Sequence, residues 1–517
     1  MAQNKSAKKS RCMFLVGQHL ATTTDSIRCR PGDPNRLLPD DALLEIFDFY
    51  MGRHRDRGFM YEELKKKKDT WQTLVHVRRR WRTLVFGSPL FLKLELVCTV
   101  KTPARDTLDV WPPLPLIIWG DGYFTKDLDF TTKSVDYIIA ALERRNRVGQ
   151  IDLSDIPAPS MKELFAAVQG PFPELTLLRL HSSGDTGSVV PNSFLGGSAP
   201  RLQEIWLHSI PFPGLPKLLL SATRLVNLHL RNISHSGYIA PEVMATALST
   251  STCLRSLAIE FRSPQSFPDQ ESRRPPPLTR SFLPVLTEVE FQGSGYYLEY
   301  LVAHLDAPQL NWFYTTFFNQ IGFDTPQFIQ FMNRTPKLKA LEKGYVSFGD
   351  KAAKVRLSPA SPPTSLYVYE GLYVTILSRG TLDRQVLCLE QVLTLSVPFS
   401  ALEDLYIYKY THTQSDWQDD IENAMWLELL HPFPAVKNLY ICDEFAPRIM
   451  PALQELVGVR TTEVLPNLQN IFLAELQSSE LVQESIREFV AARQVTSHPI
   501  AISPWDNFKQ DKYCGRW

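Results

Sequence analysis

LTLLRL at residues 175–180 and LVNLHL at residues 225–230 are two copies of one pattern, L-x-x-L-x-L, in a chain of 517 residues. Fourteen copies of this pattern start between residues 91 and 468, which gives a mean period of 29, and the copies that start at Leu310, Leu338 and Gly371 are weak. The units start at Phe91, Leu114, Val148, Leu175, Leu202, Leu225, Leu254, Leu286, Leu310, Leu338, Gly371, Leu402, Val436 and Leu468. A fixed period of this length indicates a repeat architecture.

A shared proline separates this repeat from chance. Because 44% of the residues are hydrophobic, apolar triples also arise at random. Seven of the fourteen units, however, carry a proline two residues before the first apolar position: Pro173, Pro200, Pro284, Pro308, Pro336, Pro434 and Pro466. Proline is tolerated at the start of a strand and ends a preceding helix. Unrelated strands would not share it, so the repeat is predicted to be structural.

Helical patterns alternate with the predicted strands. Residues 134–142 place four apolar side chains on one helical face. Residues 241–248 and 326–332 begin with proline, which is favoured at the start of a helix. Strand, loop and helix in alternation form the leucine-rich-repeat unit. The sequence therefore predicts an α/β fold: a leucine-rich-repeat solenoid over residues 91–478, with a curved parallel sheet and outer helices.

The ends of the chain do not follow the repeat. Residues 1–36 are predicted to be a disordered basic tail, and residues 479–517 a capping helix, to about Arg493, with an irregular tail after it. Residues 37–90 are predicted to be a helical module with an inserted loop at 52–70. Its first helix follows Pro39, and its second spans residues 71–86.

The helical module resembles an F-box. The matching residues are Leu38, Pro39, Leu43, Leu44, Ile46, Phe47, Val77, Arg80, Trp81, Arg82, Val85, Phe86, Pro89 and Leu90. The run 71–96 is similar to F-box proteins of mushroom-forming fungi, and the resemblance extends through the repeats. Arg78 stands where that family usually has cysteine, and the 52–70 segment is longer than the usual turn.

The resemblance implies a substrate receptor of a Skp–cullin–F-box ubiquitin ligase. The helical module would bind the Skp-type adaptor, which links it to the cullin, and the repeats would bind a protein substrate. The implied adaptor-binding residues are Leu38, Pro39, Leu43, Leu44, Ile46, Phe47, Val77 and Trp81. The alternative is a leucine-rich-repeat scaffold that binds protein partners without a ubiquitin-ligase role.

Strand parity predicts the substrate surface. Since the apolar positions of L-x-x-L-x-L face the core, the fifth position faces the concave side of the sheet. These fifth positions are Asp152, Arg179, Trp206, His229, Ala258, Glu290, Tyr314, Tyr406, Tyr440 and Phe472. Five of the ten are aromatic, and exposed aromatic side chains anchor protein partners. The predicted substrate-binding residues are Arg179, Trp206, His229, Tyr314, Tyr406 and Tyr440. A competing interpretation is that loops or the C-terminal tail cover them.

Catalytic and metal-binding patterns are weak. Asp185–Ser188 matches the aspartic-protease loop, but that chemistry needs a second carboxylate from another copy, and the sequence has none. The acidic residues Asp416, Asp419, Asp420 and Glu422 fit the start of a helix that ends near Leu430 better than a cation site. We therefore expect no enzymatic activity, no cofactor and no metal.

Charge suggests different partners for the two parts of the chain. Residues 1–90 carry 18 Lys and Arg against 10 Asp and Glu, whereas residues 91–517 carry 37 against 45. The basic runs Lys8–Lys9, Lys65–Lys68 and Arg78–Arg80 fit a solvated face, an acidic protein partner or nucleic acid. Nucleic acid is the least expected of the three.

Cysteine usage predicts the compartment. The seven cysteines form no C-x-x-C pair, which is typical of free thiols in a reducing environment. No stretch approaches 18 uninterrupted apolar residues. We expect a soluble protein of the cytoplasm, the nucleus or both, without a membrane partner.

Overall fold

The computed structural model describes residues 38–51, 71–99, 108–109, 111–121, 132–182, 188–266, 280–318, 325–339, 341–359, 370–378, 381–396, 401–410, 421–456, 460, 462–474, 480–496 and 498–505. The chain divides into two compact units, residues 1–96 and residues 97–517.

The described residues of the first unit form three helical segments. They are α1 (Asp40–Tyr50), α2 (71–77 in the described part) and α3 (Arg79–Gly87). The prediction of one helix over 71–86 was wrong, because Arg78 has an extended backbone, with φ −151° and ψ 156°. The Arg82 Nε atom donates to the Val75 carbonyl at 3.0 Å and so ties the two sides of this break together. The loop predicted at 52–70 lies outside the described residues.

A long sheet dominates the second unit. It has 16 strands in the order β1-β2-β3-β4-β5-β6-β7-β9-β11-β14-β13-β12-β15-β16-β17-β18. Its strands are β1 (Leu96–Thr99), β2 (Leu116–Asp121), β3 (Val148–Ser154), β4 (Leu177–His181), β5 (Glu204–His208), β6 (Asn227–Ile233), β7 (Ser256–Phe261), β9 (Glu288–Gly293), β11 (Trp312–Phe317), β12 (Lys343–Phe348), β13 (Ala352–Ser358), β14 (Gly371–Leu377), β15 (Asp404–Lys409), β16 (Asn438–Ile441), β17 (Asn470–Leu473) and β18 (Ala501–Pro504). Two short strands, β8 (Ser281–Phe282) and β10 (Leu305–Asp306), pair with each other.

Helices follow most strands, as the repeat predicted. They are α4 (Thr132–Leu142), α5 (Ala158–Ala167), α6 (Leu215–Ser221), α7 (Pro241–Leu248), α8 (Gly295–Ala303), α9 (Pro326–Arg334), α10 (Pro336–Lys339), α11 (Leu382–Ser396), α12 (Asn423–Leu430), α13 (Ala446–Gln454) and α14 (Glu480–Val495). The helices predicted at 134–142, 241–248 and 326–332 are confirmed as α4, α7 and α9. None of the helices in the described residues is both long enough and apolar enough to cross a bilayer.

The leucine positions form the core between sheet and helices. In β4, for example, Leu178 and Leu180 are buried while the residues on either side of them are partly exposed. The equivalent leucines of β6, Leu228 and Leu230, lie beside them on a neighbouring part of the sheet and are also buried. Burial therefore fixes the strand register, because a shift of one residue would turn every leucine outward.

One insertion interrupts the parallel order. After β11 the chain continues through α9 and α10 to β12, which lies three strands away. The chain then returns as the antiparallel strand β13 and places β14 beside β11. The repeat did not predict this arrangement.

The three inserted strands also change the predicted register. Gly344 aligns with Leu405, so the unit containing β12 starts at Leu341, and the predicted start at Leu338 was wrong by three residues. Leu372 aligns with Phe313, so the predicted start at Gly371 was wrong by two residues. A shift of two keeps the parity of β14, and its apolar side chains still face the core.

Two further corrections concern the edges of the sheet. The unit predicted at Leu114 placed Trp119 in the core, but a bulge at Leu116/Ile117 shifts the strand, so Ile118 aligns with Ile151 and Trp119 with Asp152. Near the C-terminus, the capping helix is present as α14. The tail after it is not wholly irregular, because residues 501–504 pair in parallel with β17 as the last strand of the sheet.

A candidate recognition surface on the sheet

The ten predicted concave positions lie in a single row across the sheet. Strand pairing aligns them on the face opposite the buried leucines, with three inserted strands between Tyr314 and Tyr406. We call the full set the central row: Trp119, Asp152, Arg179, Trp206, His229, Ala258, Glu290, Tyr314, Tyr373, Arg356, Tyr345, Tyr406, Tyr440, Phe472 and Ser503. The predicted alignment is confirmed, whereas its role in binding stays a prediction.

Four residues of the row with large side chains were missed from the sequence. Tyr373, Arg356 and Tyr345 belong to the inserted strands, where the repeat pattern is lost, and Trp119 lies beside the bulge. Tyr345 is partly exposed between the buried residues Gly344 and Val346, and the sequence of Lys343–Phe348 contains no leucine that would have marked this alternation.

A stack of charged and aromatic groups occupies the N-terminal part of the row. Arg179 binds the carboxylate of Asp152, with 3.1 Å between Nη1 and Oδ2, and its guanidinium lies 5.1 Å from the centre of the Trp206 ring. Trp206 stacks on His229, with ring centroids 3.8 Å apart and planes at 13°. Each group thus holds its neighbour in place. Together they form a rigid surface that is partly charged and partly aromatic.

His229 is neutral at physiological pH. Burial, together with the positive charges of Arg231 and Arg179, lowers its pKa from 6.5 to about 4. Its Nε2 atom lies 3.3 Å from the Ser256 hydroxyl oxygen. Burial and the nearby His181 also lower the pKa of His208. His229 and His208 therefore contribute little positive charge.

Two carboxylates next to this stack share one cation. Arg231 lies 3.0 Å from Glu260 and 2.5 Å from Glu290, measured between nitrogen and oxygen atoms. Burial and the charge of Glu290 raise the pKa of Glu260 to about 7, although Arg231 acts in the opposite direction. One guanidinium neutralises only one of the two acids, and Glu260, with its pKa near 7, carries the second negative charge increasingly as pH rises through 7.

The C-terminal part of the row is a ladder of stacked rings. Tyr345, Tyr406, Tyr440 and Phe472 lie in parallel planes, with successive centroids 4.7, 4.2 and 4.4 Å apart. Trp505, which follows β18, packs 6.0 Å from Tyr406 and 5.7 Å from Tyr440. Such contacts contribute roughly 0.5–1.5 kcal/mol each beyond the area they bury.

Trp505 changes the interpretation of Tyr406. Only 4% of the Tyr406 surface is exposed, because rings on both sides and Trp505 cover it. We had predicted that Tyr406 contacts a substrate, but the structure places it in the interior of the ladder. The competing interpretation, that the C-terminal tail covers part of the surface, is correct at this position.

An arginine connects the ladder with the middle of the row. The Arg356 guanidinium lies between two tyrosines, 5.4 Å from the Tyr345 ring centre and 5.1 Å from that of Tyr373. Lys354, two residues earlier on the same strand face, lies 4.1 Å from the Tyr410 ring centre, and burial lowers its pKa. Within the described residues, neither cation forms an ion pair.

A second ladder, of polar residues, runs beside the rings. Asn438 donates to Asp404 and Asn470 donates to Asn438, each at 2.7 Å through the side-chain amide. These amides satisfy each other along the sheet, which fixes their orientation. In the C-terminal part of this face, these side-chain hydrogen-bonding groups are therefore held in place by one another.

The first unit contains the predicted adaptor-binding residues, and the structure separates them into two groups. Leu43 and Phe47 are 4% and 1% exposed, and Trp81 packs against Phe47 with ring centroids 4.9 Å apart. Leu43 and Phe47 therefore belong to the core of this unit and are not accessible to an adaptor, contrary to the prediction. Val77, by contrast, is 52% exposed.

The other four predicted adaptor-binding residues lie just before α1 (Leu38 and Pro39) and in its first two turns (Leu44 and Ile46). Pro39 is exposed, and Leu38, Leu44 and Ile46 are partly exposed. Arg80 fixes this end of the helix, since its Nη2 atom lies 2.5 Å from a carboxylate oxygen of Asp40 and donates to the Leu38 carbonyl at 2.8 Å.

Several other groups singled out in the sequence lie partly or wholly outside the described residues. Residues 185–187, the acids Asp416, Asp419 and Asp420, and the lysine runs lie outside the described residues. Ser188 donates to the Ala158 carbonyl at 3.0 Å, and Glu422 directly precedes α12, which ends at Leu430 as predicted.

The potential ligand atoms of Cys442, Asp443 and Glu444 lie within 4.8 Å of one another. Burial and the neighbouring carboxylate of Glu444, however, raise the pKa of Cys442 to about 12, which disfavours the thiolate that binds metals.

No family model matches the chain, and no curated protein matches it either. Among solved structures, the chain is similar to the leucine-rich repeat-containing protein LegL7 from Legionella pneumophila, with 12% sequence identity and a TM-score of 0.24. The similarity covers 67% of this chain and 93% of that one. The fold is therefore assigned from the strand order and register of the chain itself. It is leucine-rich-repeat-like.

Proposed function

We propose that the protein is the substrate-recognition subunit of a Skp–cullin–F-box ubiquitin ligase. In this proposal the first unit binds a Skp-type adaptor, and the central row of the sheet binds a protein substrate. A leucine-rich-repeat-like sheet with an open face is a scaffold for protein interaction, which agrees with the second role. The first role is specific to the helical unit.

The distribution of exposed apolar side chains carries the proposal. Large hydrophobic residues that are more than about one-third exposed number five among the 40 described residues of the first unit. They are Phe49, Tyr50, Val77, Leu90 and Phe91. The much longer described part of the second unit has seven. A small unit that leaves so much apolar surface in water favours association with a partner protein.

The resemblance of residues 37–90 to an F-box names the kind of partner. Val77 and Leu90 are 52% and 88% exposed, and both belong to the matching residues. Leu43, Phe47 and Trp81 instead pack together and support the unit internally. We propose that the adaptor contacts the exposed subset: Leu38, Pro39, Leu44, Ile46, Val77 and Leu90.

Affinity capture of the full chain, followed by identification of the co-purifying proteins, tests this function. We expect a Skp-type adaptor and a cullin in stoichiometric amounts. Capture of a protein partner through the sheet without adaptor or cullin would instead support the alternative, an interaction scaffold outside the ubiquitin pathway.

A further inference from the structure

We propose that the middle of the central row binds an extended protein segment with a basic side chain and an acidic side chain about four to six residues apart, separated by a large apolar side chain. This inference rests on the proposed role of the sheet as a substrate surface, and it names the chemistry of the substrate.

The acidic end of the surface would bind the basic side chain. On β5, β6, β7 and β9, the positions that share the face of the central row include four carboxylates and one guanidinium. The carboxylates are Glu204, Glu260, Glu288 and Glu290, and the guanidinium is Arg231. An incoming Lys or Arg would find an acid not neutralised by the protein, with the stacked Trp206 and His229 rings beside it. A cation is favoured both by the carboxylates and by the face of the tryptophan.

The basic end of the surface is Arg356, which lies in the same row three strands from Glu290. Arg356 has no carboxylate partner within the described residues, and its buried Nε atom has no hydrogen-bond acceptor there. The rings of Tyr345 and Tyr373 hold the guanidinium plane between them. Lys354 adds a second positive charge on the same strand face. An acidic side chain of the partner would supply the missing acceptor.

Two tyrosines separate the charged ends. Glu290 is followed in the row by Tyr314, then Tyr373, then Arg356. The ring centroids of Tyr314 and Tyr373 are 6.2 Å apart. Their faces offer apolar area between the charges, where a leucine or an aromatic side chain of the partner would pack.

Strand spacing sets the distance between the charges of the partner. Glu290 and Arg356 are separated by three strand intervals and Glu260 and Arg356 by four, which is about 14 to 19 Å at about 4.8 Å per interval. An extended chain rises about 3.3 Å per residue, so four to six residues span this distance. The carboxylates at one end would repel the phosphates of a nucleic acid, so a protein segment fits better.

A random 12-residue peptide library displayed on phage, selected on the immobilised full chain, tests the proposal. We expect the enriched sequences to share Lys or Arg four to six residues from Asp or Glu, with a large apolar residue between them. Affinities of the synthesised peptides for the variants Glu290→Lys and Glu290→Gln would then be measured by fluorescence anisotropy. The control is Glu163→Lys, which changes an exposed acid on α5.

Glu290→Lys should weaken binding about tenfold or more, Glu290→Gln should weaken it in the same direction, and Glu163→Lys should not change it. A peptide whose basic residue is replaced by Glu should bind Glu290→Lys better than it binds the natural chain. Selection without enrichment, enrichment without the charge pair, or unchanged affinity for both Glu290 variants would overturn the proposal. Adaptor capture reports on the proposed function separately, because these substitutions lie outside the first unit.

Discussion

Trp206 and Leu207 are neighbours in sequence but belong to opposite faces of β5. Trp206 stacks on His229 at a centroid distance of 3.8 Å, whereas Leu207 is 4% exposed and pairs in register with the core residues Leu180 and Leu230. The surface that we assign to recognition and the surface that stabilises the fold are thus separated by the parity of a single strand.

These two residues allow a direct test of the strand register. Leu207→Ala should lower the free energy of unfolding by about 2–5 kcal/mol, because it leaves a cavity. Trp206→Ala should lower it by about 1–2 kcal/mol, because its stack with His229 is partly buried. Urea denaturation followed by circular dichroism would measure both. Equal losses would mean that the Trp206 side chain is part of the core.

A second prediction concerns the aromatic ladder. Tyr406→Ala should cost about 3–5 kcal/mol of stability, as large-to-small changes of buried aromatic residues do, because Tyr406 is 4% exposed between two rings and Trp505. Tyr314→Ala is the matched control, since Tyr314 is only partly buried in the same row. A similar, small loss for both variants would show that the ladder does not contribute to folding.

Much of the sheet could be predicted because burial and parity act together. In units such as those of β4, β5 and β6, a strand with three core positions has only one register that hides its leucines. The fifth position then has a fixed direction, which is why all ten predicted residues lie in one row. No knowledge of the partner strand was needed.

The register of the inserted strand β12 could not be predicted, and the reason is local. Gly344 takes the place of a core leucine in β12, and a Cβ atom there would lie 2.8 Å from Leu402 Cδ1. A side chain at this position would require Leu402 to shift, and glycine at a core position breaks the leucine pattern in the strand whose register had to be found. The burial of Tyr406 could not be predicted for a different reason. It depends on Trp505, which is distant in sequence and lies outside any repeat.

The pH dependence of stability should reveal Glu260. The unfolded carboxyl releases its proton near pH 4.5, whereas the folded one releases it near pH 7. Between these values the folded state binds more protons, so the free energy of unfolding contributed by Glu260 falls as pH rises from 4.5 to 7. Glu260→Gln cannot ionise and should gain stability relative to the natural chain across this window. A difference independent of pH, in urea midpoints from pH 5 to 8, would argue against the raised pKa.

His229 should have the opposite effect. Its folded pKa of about 4 lies below its ordinary value of 6.5, so the unfolded state binds more protons between pH 4 and 6.5. The stability that it contributes is therefore present above pH 6.5 and is lost as pH falls toward 4. His229→Phe keeps a ring against Trp206 without a titrating group. We expect this variant to gain on the natural chain as pH falls through that window, and a constant difference would contradict the assignment.

The most direct test of the proposed function is the affinity of a purified Skp-type adaptor for two valine variants. Val77 in the first unit and Val243 on α7 are similarly exposed, at 52% and 47%, so Val77→Asp and Val243→Asp should fold equally well. Trp81→Ala is less suitable, because Trp81 packs on Phe47. Loss of a desolvated apolar anchor costs roughly 2 kcal/mol or more, so Val77→Asp should weaken adaptor binding about 30-fold. Val243→Asp should bind like the natural chain. If the natural chain does not bind the adaptor, or if Val77→Asp binds it unchanged, the ubiquitin-ligase role is contradicted.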